Sequence, residues 1–173
     1  MHLVFHAKGA HGLSPANCLQ EPACPFRHGS AFVGIALRSA LQVLARIDVA
    51  AGGTGIPAGE SARLQGLGRL IAQGGGPAFD LLLPSVVHAE IAAGEFFGPR
   101  SGLVARVASR LAAVHTGFDP RGFAVPEVYY TRHRAEYAAA VGNYRTALAD
   151  ALLTHLAAWT AGGKEADAIA RAA

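Results

Sequence analysis

From Ser30 onward, apolar residues recur every three and four positions, and no useful stretch alternates apolar with polar. That period puts apolar side chains on one face of a helix and excludes a half-buried strand. Composition points the same way: 37 of the 173 residues are alanine, the best helix former. Phe32, Ile35, Ala36, Ala40, Val43, Leu44 and Ile47 share a face of a first helix, which stops in the glycine-rich segment Ala51 to Pro57. A second helix is expected over about Glu60 to Gln73, with Leu64, Leu67, Leu70 and Ile71 inward. The third, about Asp80 to Ala93, is apolar almost all round and belongs in the core. Pro84 is tolerated only in its first turn, which moves the start towards Leu83. A fourth, about Gly102 to Thr116, carries Leu103, Val104, Val107, Leu111 and Val114, with Ser101 as N-cap and Gly117 past its end. Two more are expected over Arg132 to Val141 and Tyr144 to Thr160, and the tail from Lys164 is again helix-prone. The prediction is an all-α bundle of five or more helices, with those near 80–94 and 102–116 at its centre.

Residues 1–29 differ from the rest. They carry four of the eight histidines, both cysteines and three prolines, with no sustained period, and are expected to form an irregular extension before a helical domain over 30–173. The alternative is a domain that begins further upstream. Cys18 and Cys24 with His11 and His28 do not have the spacing of a common zinc site, so no metal is expected there. The mean hydropathy of +0.28 and 16% charged residues exclude wholesale disorder. No segment offers about 18 clean apolar residues, so no membrane-spanning helix is expected. No signal-peptide pattern opens the chain, and the expected location is the cytoplasm. The net charge of +3 comes from 13 arginines and two lysines spread along the chain. Nucleic acid is therefore not the favoured partner.

The segment Val87 to Arg110, VHAEIAAGEFFGPRSGLVARVASR, has the layout of an anion site. A buried helix ends, a Phe-Gly-Pro turn follows, and a new helix opens with small residues. The free N–H groups and positive dipole end of a helix start attract phosphate. Arg100 lies just before that start and Arg106 on its second turn. The structural alternative is a turn that merely joins two core helices, with Arg106 as a surface cation. A second alternative pairs Glu95 with Arg100 or Arg106 and closes the site.

The same segment resembles the signature of the Fic/Doc (Fido) family, H-P-F-x-[D/E]-G-N-G-R-x-x-R. His88-Ala89 precedes it as a His-Ala pair often does in that family. In this register Glu95 stands at the catalytic His, Phe96 at the Pro and Phe97 at the Phe. Gly98 takes the free position and Pro99 that of the acid. Arg100, Ser101 and Gly102 replace Gly-Asn-Gly, Leu103 replaces the first Arg, and Arg106 falls on the second. Phe97, Gly102 and Arg106 retain the signature. Leu44 to Asp48 resembles the helix that precedes the family's target-binding flap. Gly117 to Pro120 and Arg134 to Tyr137 resemble the region after the family's motif, with its Tyr-containing helix. The family's inhibitory Ser/Thr-x-x-x-Glu-Gly/Asn pattern is not visible in residues 1–50.

The resemblance implies a helical domain whose typical members transfer AMP to a hydroxyl of a target protein. The His is their general base, the acid holds Mg²⁺, and the Gly-Asn-Gly backbone and arginines bind phosphate. Here Pro99 offers no metal ligand and Leu103 no phosphate clamp. The expectation is a degenerate Fic-like domain, inactive or altered in nucleotidyl transfer, that acts by binding a protein partner or an anion. Arg100, Ser101, Gly102, Leu103 and Arg106 would bind the anion, with His88 and Phe97 as structural supports. ATP or another nucleotide is the candidate ligand, without Mg²⁺ and with no resident cofactor. One alternative is an active transferase with Glu95 as base; another is a helical interaction protein with no ligand. A homo-oligomer is the other association the sequence allows. Elsewhere, Tyr129, Tyr130, Arg132, His133, Arg134 and Tyr137 form a basic-aromatic cluster that reads as the solvated face and edge packing of a helix, with binding of nucleic acid or a nucleotide base as the alternative, and Phe118 and Trp159 read as core aromatics.

Overall fold

The computed structural model describes residues 40–73 and 76–172. The expectations for 1–29, for the four Cys and His residues, and for the helix turns before Ala40 lie outside the described residues. Among these, the backbone forms eight α-helices and no strand. In order they are α1 (Ala40–Ala50), α2 (Ser61–Gln73), α3 (Pro77–Asp80), α4 (Leu83–Gly94), α5 (Ser101–Thr116), α6 (Glu127–Arg132), α7 (Arg134–Gly142) and α8 (Leu148–Ala172). The class is all-α, and no helix of the described residues is long and apolar enough to cross a membrane.

α4 and α5 form the central antiparallel pair, joined by a short turn that includes a 3₁₀ segment, Gly98–Arg100. Pro84 sits in the first turn of α4, where a missing N–H leaves no intrahelical bond unmade. α4 is buried almost all round, with Leu83, Val87, Ile91 and Ala92 towards α1, α2 and α5. α5 presents Val104, Ala105, Ala108 and Ala112 to that core. This corrects the sequence expectation: Leu103, Val107 and Leu111 lie exposed on the outer side. Small residues on the inner face let the α4 and α5 backbones approach closely, so the alanine stripe wins over the leucine one.

The C-terminal layer also departs from the expected boundaries. α7 lies within two residues of the helix expected over Arg132–Val141, but α6 precedes it without having been expected, and the two are separated at His133 (φ −119°, ψ 52°). The last helix begins at Leu148, after a turn in which Asn143 C=O accepts from Thr146 and Ala147 N–H. It then runs through Gly162 to Ala172. A Cβ at Gly162 would lie 2.6 Å from the Val125 carbonyl carbon, so this glycine lets the 125–126 backbone rest directly on α8. Phe118 and Trp159 meet edge to face, 5.5 Å apart, in a small cluster with Ala113 and Ala124.

Candidate functional site

The turn between α4 and α5 is built by local bonds. Glu95 caps α4 in the left-handed conformation (φ 49°), a position usually taken by glycine, and its side chain is exposed. Phe96 and Phe97 then turn inward and are buried. Gly98 N–H donates to Glu95 C=O at 2.9 Å, and Ser101 N–H donates to Gly98 C=O. Ser101 is therefore the first residue of α5 and not its N-cap. Its buried hydroxyl accepts from Phe97 N–H at 2.9 Å and holds the turn closed.

A second set of bonds ties the turn to the loop after α1. Asp48 is 1% exposed and receives Arg100 Nε at 2.7 Å and Gly55 N–H at 2.9 Å. The Arg100 guanidinium, helped by Gly55 N–H, holds the Asp48 carboxyl below its ordinary range against the opposing effect of burial. A Cβ on Gly53 would lie 2.1 Å from that carboxylate, so only glycine admits it. Ala58 N–H donates to Phe96 C=O at 2.7 Å, which pins the far end of the same loop. Behind the loop lies a cavity of about 250 Å³ lined by Leu41, Ala45, Pro57, Leu64 and Phe97 among others, with no charged side chain.

These bonds sort the residues that the sequence singles out. Arg100 is an ion-pair partner of Asp48, so its charge is already neutralised. Neither Arg100 nor Arg106 pairs with Glu95 among the described residues. Arg106, half-buried, folds back over the first turn of α5: its Nη2 lies 3.9 Å from where a Cβ on Gly102 would be. Among the described residues it has no ion-pair partner. Leu103 points outward beside it. Gly102, Leu103 and Arg106 thus share one edge of the α5 start, with Ser101 beneath.

His88 faces away from Glu95, so the two form no dyad. Its Nε2 lies 3.0 Å from the Tyr137 hydroxyl, and its ring packs on those of Tyr130 and His155. Burial holds the imidazole well below its ordinary range, and the positive charge of Arg106 adds to this. Arg106 also acts on Tyr130 and Tyr137, whose hydroxyls burial pushes up. The sequence pattern reads that cluster as the solvated face and edge packing of a helix. Arg132, His133 and Arg134 are exposed, Tyr129 and Tyr137 half-buried, and Tyr130 buried. The pattern also misses Asp48, whose signal is an acid at the end of an apolar helix face, and His155.

Compared with protein-family models, with curated proteins and with solved structures, the chain matches none. Among the described residues no group of three or more His, Cys, Asp or Glu side chains is placed to hold a metal ion.

Proposed function

We propose that this chain is a Fic-like helical domain that has lost transferase chemistry and binds a phosphate-bearing anion at the start of α5. The observation that carries this reading is Arg106, a half-buried guanidinium with no ion-pair partner among the described residues, folded over Gly102 at a helix start. Backbone N–H groups near Gly102 and Leu103 are the complementary donors, as at other helix starts. The resemblance contributes the register: Phe97, Gly102 and Arg106 occupy signature positions, and Glu95 and Pro99 replace the base and the metal acid. The Glu95 side chain is exposed and has no hydrogen-bond partner among the described residues, so nothing orients its carboxylate as a general base. A protein partner carrying a phosphate, or a free nucleotide, supplies the same chemistry.

The test is a calorimetric titration with phosphate and with ATP. Parent protein should bind, with no strong gain from added Mg²⁺. Arg106→Ala should lose about 1–3 kcal/mol of binding, the worth of one charge-assisted contact, at unchanged helicity. No binding at millimolar ligand, or unchanged binding in the variant, overturns the proposal. Strong enhancement by Mg²⁺ that depends on residues 95–106 would restore the transferase reading with Glu95.

A further inference from the structure

The contact between α4 and the C-terminal layer is made through ionisable rings. His88 of α4 and His155 of α8 pack ring against ring, tilted by 40° with centroids 4.5 Å apart, and they are 1% and 0% exposed. Each receives one phenol: the Tyr137 hydroxyl lies 3.0 Å from His88 Nε2, and that of Tyr130 lies 2.8 Å from His155 Nδ1. Burial keeps both phenols protonated and both imidazoles uncharged, so each ring nitrogen shares one neutral hydrogen bond with its phenol. His155 Nε2 is buried with no partner among the described residues.

Among the described residues, the groups facing this pair offer no counter-ion. α5 contributes the cation Arg106, and α6 and α7 contribute Tyr130 and Tyr137. The nearest carboxylate influence on those tyrosines is Glu127, which is already bonded to Arg110. A proton on either ring therefore places an unpaired cation in the core beside Arg106. The other contacts of α4 with this layer are small, Ala89 meeting Ala140, Tyr144 and Ala151, while Trp159 of α8 and Glu127 of α6 hold the layer to α5 through Ala113 and Arg110. Alanine buries little apolar area, so the α4 contact has little to set against a buried charge.

We propose that the His88–His155 pair is an acid-sensitive latch, whose protonation releases α6, α7 and α8 from α4 while the aliphatic packing of α1, α2, α4 and α5 persists. The sign comes from the two states. Burial lowers both imidazoles from the ordinary 6.5, His155 to about 4, so the released layer takes up protons that the docked one refuses. Release then grows by up to about tenfold per pH unit for each histidine as pH falls below 6.5. Ordinary carboxylates titrate lower, near 4, so the window from 6.5 to 4.5 belongs to the histidines.

The experiment uses the full chain and its one tryptophan, Trp159, buried one turn from His155. Trp159 fluorescence is followed from pH 7.5 to 4.5, with hydrogen exchange resolved by peptide and corrected for intrinsic rates. The expected result is a fluorescence transition within that window, with protection lost in α6–α8 before α1, α2 and α5. The double variant His88→Gln, His155→Asn keeps an acceptor for each tyrosine and removes the titration. Its transition should fall by at least one pH unit, while His115, at the far end of α5, titrates alike in both proteins. No transition in the parent, simultaneous loss of protection in all helices, or an unshifted transition in a folded double variant overturns the latch. If the double variant does not fold, the order of exchange in the parent decides alone.

Discussion

The two sides of α4 are packed by different chemistry. Towards α1, α2 and α5, Leu83, Val87 and Ile91 meet hydrocarbon from Leu44, Leu64, Leu67, Ile71 and Val104. Towards α7 and α8, the same helix offers His88 and Ala89 to tyrosines, His155 and small side chains. The first side gains free energy roughly in proportion to apolar area and has nothing to titrate. The second depends on each buried polar atom keeping its partner and each imidazole staying neutral. One helix thus joins a core of hydrocarbon to a core of buried titratable rings.

The largest expected effect tests whether α4 serves both sides. Ile91 is fully buried in the aliphatic cluster, and Ile91→Ala should cost about 2–5 kcal/mol in urea denaturation, through lost transfer energy and a residual cavity. A loss below about 1 kcal/mol would mean that this side is no better packed than the other. Next comes acid. A native His155 near 4 against an ordinary 6.5 means that the unfolded chain binds the proton first as pH falls. Stability is fully present above about 6.5 and is lost down to about 4, by about 3 kcal/mol from this residue. Urea denaturation at pH 7.5 and 4.5 measures it, and the cost of Ile91→Ala should be the same at both, since hydrocarbon does not titrate. A flat pH profile would erase the contrast.

Smaller effects sharpen the comparison at its edges. Ser101→Ala strands the buried Phe97 N–H and should cost about 1–3 kcal/mol, seen as a lower urea midpoint at any pH in the range. A variant as stable as the parent would show that the turn is held by Asp48 and Ala58 alone. The exposed ion pair between Arg132 and Glu165, 3.8 Å apart, joins α6 to α8. Arg132→Ala should change stability by less than about 1 kcal/mol and lose that small effect in high salt. A larger change would mean that surface charge, and not the ring cluster, holds the C-terminal layer.

Much of the helical layout was legible in the residues, because periodicity and alanine content act locally. α2, α4 and α5 lie within a few residues of their expected bounds, and Pro84 and Gly117 mark the α4 start and the α5 end as their backbone chemistry requires. α6 was not legible: its six residues, Glu127 to Arg132, are too few to show a helical period, and no proline or glycine separates them from α7. Of the candidate site, the order of residues around the α4–α5 turn could be read, but not their pairings. Asp48 and Arg100 are 52 residues apart, and no local rule brings them together.

By itself the sequence determined that the chain is helical, where its central helices run, and that a turn with flanking arginines separates them. Those properties come from 3.6-residue periodicity, propensity and capping, which need only near neighbours. The tertiary structure alone decided which arginine is neutralised and which stays without an ion pair among the described residues. It also decided which face of α5 is inward, and that two tyrosines and two histidines share one buried cluster. Each of these depends on the separation of side chains from different helices. A few ångströms there decide whether a group meets water, a partner or a like charge.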